Sequence, residues 1–388
     1  MRLALISSLL PGDSRGGAES YAQASALSLA ERHDVVLLTG SRHATVNGVR
    51  TIRLPRLPLI SSSTPGMARM LWHAADQWLP HVHVAISRVL RREKPDLVVT
   101  HHPQGLSAAV FTAVAAQRVP HVHVAHDLNI LCSRMSMTRR GEYCGGRCIA
   151  CRIQRAVRGR ALGLNLAALI VFSRYMLEQH VRAGVVPRDR ATAIRLGADP
   201  GAVRLRRVTR EPPTVGFIGA LEPHKGLLTL LDAFHAAERQ RWRLLIAGSG
   251  RLEPDVVGAS SRDPRIGFLG HVEGAAKQSF FDRTDLLIVP SEWEEPATFV
   301  VAEAAVRGIP SIVSDRGGLP EAPEARVFRA GDPQGLVDAM AWFLDHPLRL
   351  ERASARLIER AHEFRWSTHV DQVDRLLQDV FAQSSDHG

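Results

Sequence analysis

The chain has 388 residues, 45% of them hydrophobic and 23% charged, which excludes a disordered, fibrous or disulfide-scaffold protein. At roughly 150 residues per domain, that length holds two or three domains. Lysine and arginine number 49 against 39 acidic residues, a net charge of +10 that favours anionic partners: nucleotide phosphates, an anionic lipid surface or nucleic acid. Only Lys94, Lys225 and Lys277 are lysines. No run of about 18 apolar residues occurs, so no transmembrane helix is expected.

Met1–Leu10 is apolar, lacks a small-residue cleavage site and runs into the glycine-bearing loop Pro11–Gly17. It reads as a buried first strand rather than a signal segment, which implies a cytoplasmic protein. Further strands are expected at Val35–Leu38, Leu97–Thr100, His121–Val124 and Leu169–Phe172, with helices at about Ala18–Arg32, Met67–Arg92, Leu106–Gln117 and Arg174–Ala183. This β-α-β rhythm predicts a parallel sheet covered on both faces. Gly197–Pro213, rich in proline and arginine, reads as a linker. The rhythm then restarts, with strands at Thr214–Ile218, Arg243–Ala247, Arg265–Leu269, Leu286–Val289 and Ser311–Val313. Helices are expected at Lys225–Ala237, Ala275–Asp282 and Phe299–Arg307, and mostly helix from Pro333 onward. The expected fold class is α/β, with two Rossmann-like domains facing across a cleft: 1–205, then 206–367, with a C-terminal helix at about 368–388. Such folds bind ligands at strand carboxyl ends.

Three segments at those ends carry polar groups. Pro290–Ala304 follows a strand and opens a helix near Thr298; it contains Glu294, Glu295 and Glu303. A helix start can hold phosphate, and carboxylates beside it can accept hydrogen bonds from sugar hydroxyls. The simpler alternative is that the acidic residues complement the helix dipole. The other two segments are Gly219–Gly226, with Lys225, and Asp315–Glu321, with Gly317-Gly318-Leu319-Pro320-Glu321.

Together these segments resemble the family 4 retaining glycosyltransferases of the GT-B fold ("glycosyl transferases group 1"). The shared features are a glycine-leucine-x-x-x-lysine-glycine segment, two glutamates separated by seven residues after a proline-serine turn (here Glu295 and Glu303), and the Gly-Gly-Leu-Pro-Glu turn. Gly16-Gly17-Ala18-Glu19, His126-Asp127, Phe172-Ser173-Arg174 and Leu196-Gly197-Ala198-Asp199 extend the resemblance over nearly the whole chain. It implies a hexosyl-type transfer from a nucleotide sugar (UDP-, GDP- or ADP-linked), with retention, to a glycan or lipid-linked acceptor in polysaccharide or glycolipid synthesis. Lys225 would bind the donor diphosphate, Glu295 the sugar hydroxyls and Glu303 the ribose. Phe299 and Val300 would present backbone N–H groups to the diphosphate. Gly17 would let its loop approach the same phosphates, and His126 would reach the donor sugar. Glu295, His126 and Lys225 are thus the catalytic candidates. The C-terminal helix would cross back to the first domain. Two positions depart from the pattern: Ala220 stands where arginine is common, and Ala297-Thr298 replaces phenylalanine-glycine. Thr298 suits an N-cap. No Asp-x-Asp triplet is present, so no cofactor is expected for the chemistry.

Cys132, Cys144, Cys148 and Cys151 are the only cysteines, spaced C-x11-C-x3-C-x2-C. They are candidate ligands of a structural zinc, the alternative being four thiols packing a loop. Arg53–Trp72 mixes Leu57, Leu59, Ile60, Met67, Met70, Leu71 and Trp72 with Arg53, Arg56 and Arg69. That composition suits peripheral contact with an anionic membrane, at its inner face, although packing on the first domain is the simpler expectation. Competing functions are a nucleotide-sugar epimerase or phosphorylase, or a non-catalytic basic binding protein. No aromatic-and-basic motif supports nucleic acid as a partner.

Overall fold

The computed structural model describes residues 1–13, 16–42, 45–58, 60, 64–135, 137–139, 142–199, 201, 211–237 and 241–385. The chain forms two units, one of Met1–Thr138, Cys144–Ile194 and Val370–Gly388, the other of Arg139–Tyr143 and Arg195–His369. The sequence-derived boundary at 205/206 lies outside the described residues, as does Leu59.

The first unit contains β1 (Arg2–Ser7), α1 (Gly17–Ala30), β2 (Asp34–Thr39), β3 (Arg50–Arg53), α2 (Gly66–Ala75), α3 (Pro80–Glu93), β4 (Leu97–Thr100), α4 (Ala109–Ala115) and β5 (His121–Val124). The short pair β6 (Thr138–Arg139) and β7 (Glu142–Tyr143) follows in the chain, with Arg139–Tyr143 counted in the other unit; the first unit then resumes with α5 (Ile149–Gln154), a π turn at Arg155–Gly159, α6 (Arg160–Gly163), β8 (Leu166–Val171), α7 (Arg174–Arg182) and β9 (Ala191–Ala193). Seven strands make one parallel sheet in the order β3-β2-β1-β4-β5-β8-β9. Leu3, Ala4, Leu5 and Ile6 of β1 are buried, because helices cover both faces of a parallel sheet.

The second unit contains β10 (Thr214–Ile218), α8 (Leu227–Ala236), β11 (Arg243–Ala247), α9 (Glu253–Arg262), β12 (Ile266–Phe268), α10 (Gly274–Arg283), β13 (Leu286–Val289), α11 (Phe299–Ala305), β14 (Ser311–Ser314), β15 (Ala325–Phe328), α12 (Pro333–Leu344) and α13 (Pro347–Glu359). Its six strands are parallel in the order β12-β11-β10-β13-β14-β15. In both sheets the strand order reverses beside the first strand, the topology that leaves a ligand crevice at the carboxyl ends. The last helix, α14 (Trp366–Ser385), pairs Asp371 and Asp374 with Arg32, and Asp374 with His33, at 2.6–3.1 Å.

The single helix expected over Met67–Arg92 is two. Pro80 is the first residue of α3 and Leu79 before it is extended, as proline imposes on its predecessor. α2 packs only in part: Trp72 is half-buried and donates to the Pro58 carbonyl at 2.8 Å, but no residue of α2 is fully buried, and Met67, Met70 and Leu71 are 60–67% exposed.

Candidate functional site

In the second unit, three loops at strand carboxyl ends are locked together through their backbones. Gly226 has φ 71°, and a Cβ there would stand 1.8 Å from the carbonyl oxygen of Pro290. The loop after β10 therefore needs glycine to lie against the loop after β13. Gly318 N–H donates to the Glu295 carbonyl at 2.7 Å. A Cβ on Gly317 (φ 59°) would stand 2.1 Å from that same oxygen. The Gly-Gly turn after β14 is thereby fixed under Glu295.

This packing brings Lys225 and Glu295 together. Lys225 Nζ lies 2.5 Å from Glu295 Oε1 and 4.7 Å from the Trp293 ring centroid. Ser291 Oγ donates to Glu295 Oε1 at 2.9 Å. Glu295 is only 4% exposed, so its carboxylate is met by these partners rather than by solvent. Burial, and then the adjacent Lys225 cation, hold the His224 imidazole below its usual pKa. Glu294 turns the other way and accepts from Gly317 N–H at 3.0 Å. Arg251 Nε bonds Glu222 at 2.7 Å, on the loop after β11.

Thr298 is the N-cap of α11, yet its side chain makes no capping hydrogen bond. Phe299 and Val300 are the first two residues of that helix. Glu303 lies on it, with Oε1 at 2.5 Å from Lys277 Nζ. Glu303 Oε2 is buried and has no hydrogen-bond partner among the described residues. Arg307 donates to the Glu303 carbonyl at 2.8 Å and to Gln278 at 3.0 Å. Sequence reasoning missed Lys277, Trp293 and Ser291 as neighbours of the glutamate pair. The scarcity of lysine was the available signal for Lys277, since two of the chain's three lysines pair with these two glutamates.

In the first unit, Gly17 opens α1, whose N-cap Gly16 offers no side chain. His126 follows β5 and lies among Tyr21, Phe172 and His101, with His101 Nδ1 at 3.2 Å from its Nε2. Asp127 pairs with His102 at 3.3 Å. A pocket at the carboxyl ends of β1 and β4 is lined by Ser8, Glu19, Arg56, Trp72, His102 and Gln104, among others. Beyond β5, the sulfurs of Cys148, Cys151 and Cys132 are in contact.

A sequence model of the glycosyl transferase 4-like domain matches residues 16–197, and one of the glycosyl transferases group 1 matches residues 212–346. The chain belongs to the group 1 glycosyltransferases. As a glycosyltransferase of the GT-B fold it has relatives of several activities. It is 25% identical over 337 residues to an uncharacterised 42.6 kDa protein in the cps region of Klebsiella pneumoniae, covering 83% of this chain and 87% of that one. It is 30% identical over 191 residues to a phosphatidyl-myo-inositol mannosyltransferase of Mycobacterium leprae, covering 47% of this chain and 51% of that enzyme. That match spans about half of the mannosyltransferase. The fold matches a sucrose-phosphate synthase from Thermosynechococcus elongatus with TM-score 0.74 at 21% identity, covering 98% and 99% of the two chains. It matches Anabaena HepE in complex with UDP-glucose with TM-score 0.70 at 16% identity, covering 98% and 100%. Among the described residues, no helix is long and apolar enough to cross a membrane.

Proposed function

We propose that this glycosyltransferase moves a sugar from a nucleotide-sugar donor to a glycan or lipid-linked acceptor with retention at the anomeric carbon. The observation that carries the reading is the two lysine–glutamate pairs, Lys225–Glu295 and Lys277–Glu303, that flank the loop and helix start after β13, with a buried Glu303 oxygen that no described residue satisfies. A buried, unpaired carboxylate oxygen is costly, and a ribose hydroxyl would satisfy it. Lys225 meets the diphosphate, Glu295 the sugar hydroxyls, and the start of α11 at Phe299 and Val300 the phosphate oxygens. Gly17 and His126 keep the donor-facing roles that the family pattern gives them.

In the step proposed, the bond from the anomeric carbon to the phosphate oxygen breaks as the acceptor oxygen bonds to the same face. The acceptor proton passes to the leaving phosphate oxygen. No protein nucleophile takes part, and Lys225 helps to stabilise the developing phosphate charge. The pocket lined by Arg56, Trp72 and His102 is assigned to the acceptor. The exposed Met67, Met70 and Leu71 of α2, with Arg69 among them, favour a lipid-linked acceptor met at an anionic membrane surface.

The test is a thermal-shift screen of the purified chain against UDP, GDP, ADP and their sugar conjugates. UDP compounds come first, because the Anabaena HepE structures hold UDP and UDP-glucose. The expected outcome is stabilisation by one nucleotide family, lost in Glu303→Ala. No shift with any nucleotide would overturn the donor assignment. An inverted anomeric signal in the NMR spectrum of the product would overturn retention.

A further inference from the structure

The connection after β5 holds all four cysteines of the chain within residues 132–151. Cys148 Sγ lies 3.1 Å from Cys151 Sγ, which lies 3.5 Å from Cys132 Sγ. Cys132 and Cys151 are buried, while Cys144 and Cys148 are half-buried. The backbone N–H of Ser133 donates to the Cys151 sulfur. Between Cys144 and Cys148 the chain turns through Gly145 (φ 59°) and Gly146 (φ 67°), both left-handed. The turn lies against the residue preceding Cys132, since a Cβ on Gly146 would stand 3.5 Å from the Leu131 carbonyl oxygen. Cys144 N–H donates to the Met137 carbonyl at 2.7 Å.

Few side chains of this connection are buried. Among residues 133–148 whose burial is described, Met137 and Gly146 alone are buried. Ordering one residue costs about 1–2 kcal/mol, and one buried apolar side chain contributes about 1.5–3 kcal/mol. Such a segment calls for a cross-link. A single disulfide would use two sulfurs and leave a third in contact with the pair.

We propose that the connection is a structural zinc site whose ligands are the thiolates of Cys132, Cys144, Cys148 and Cys151. Among the described residues, no group of three or more His, Cys, Asp or Glu is arranged to hold a metal as it stands. Binding therefore includes a local rearrangement. With zinc–sulfur bonds of about 2.3 Å, tetrahedral ligand sulfurs stand about 3.8 Å apart. The observed contacts of 3.1 and 3.5 Å open by less than about 1 Å to reach that spacing, and Cys144 turns in as the fourth ligand. Each thiol releases its proton to solvent and no oxidant is needed. The resulting negative charge is offset by Arg134, Arg147 and Arg152, which stand within the segment or next to it. Four thiolates close the coordination sphere, so the metal orders the loop and takes no part in sugar transfer.

The test uses the full chain, purified in reductant without chelator. Elemental analysis is expected to find about one zinc per chain, falling below about a tenth in Cys148→Ser and Cys132→Ser. Cobalt substitution of the unmutated chain, which does not depend on variant folding, is expected to give tetrahedral d–d bands with thiolate charge transfer. Absence of zinc after incubation with excess zinc salt would overturn the proposal. So would a Cys148–Cys151 disulfide found by mass spectrometry in the purified chain. Neither readout depends on sugar transfer.

Discussion

Lys225 and Glu295 form an ion pair whose acidic member is 4% exposed, so substituting either residue tests the proposed donor role and the stability of the pair together. Glu295→Gln keeps the shape and the hydrogen bond from Ser291 but removes the charge that faces Lys225. Turnover is expected to fall by roughly 10- to 100-fold, the worth of one charge-assisted hydrogen bond, while the melting temperature holds within a few degrees. Lys225→Ala is expected to weaken nucleotide binding by about 1.5–3 kcal/mol and also to destabilise the fold, since it strands a buried carboxylate. Calorimetric titration with the nucleotide found in the screen checks the pair; unchanged affinity in Lys225→Ala would remove its diphosphate role. Residues in local motifs were legible from the chain: Glu295 and Glu303 stand eight apart around one helix start. Lys277 was not, because its partner Glu303 lies 26 residues away and only the docking of α10 beside α11 joins them.

At the scale of elements, two glycines separate conformational need from mere occurrence. Gly226 is left-handed and faces the Pro290 carbonyl, whereas Gly163 in α6 has open space around its missing Cβ. Gly226→Ala is expected to cost at least about 1–2 kcal/mol for the left-handed backbone alone, plus the displacement of a loop. Gly163→Ala is expected to be neutral or to stabilise by up to about 1 kcal/mol. Differential scanning calorimetry of the two variants checks this, and equal melting temperatures would refute the loop-locking account. Central strands such as Leu97–Thr100 were readable as unbroken apolar runs, since both faces of a parallel sheet are covered. The strands Arg50–Arg53 and Ala325–Phe328 were not. Each lies at a sheet edge with partly exposed side chains, so neither shows an apolar run. Helix α9 escaped notice because it buries only Val256.

Across the molecule, acid sensitivity follows from histidines that the folded chain keeps neutral. Burial pushes His101 and His121 down to about 3 and His369 to about 4. It also lowers His123 well below its ordinary value. Below about pH 6.5 the unfolded chain takes up protons that these folded-state sites refuse. Stability is therefore complete above about pH 6.5 and is lost as pH falls toward the folded values. Each histidine contributes up to about 1.4 kcal/mol per pH unit. Thermal melts between about pH 7 and 5, above the carboxylate range, are expected to show a falling melting temperature; a flat profile would refute the assignment. Buried Arg158 makes the same point about tertiary context. The sequence presents it as one arginine among many, yet it is 1% exposed. It bonds Asp76 at 2.5 Å from the π turn that precedes α6. By itself the sequence determined the two parallel α/β units, the three loops at strand carboxyl ends and the family to which they belong. Those features follow from local periodicity and from motifs continuous along the chain. Only the tertiary structure decided which charges pair, which histidines lose water, that α2 leaves its methionines and Leu71 exposed, and that three sulfurs meet. Most of these depend on distance in space between residues far apart in the chain, and on the dielectric that packing creates around them.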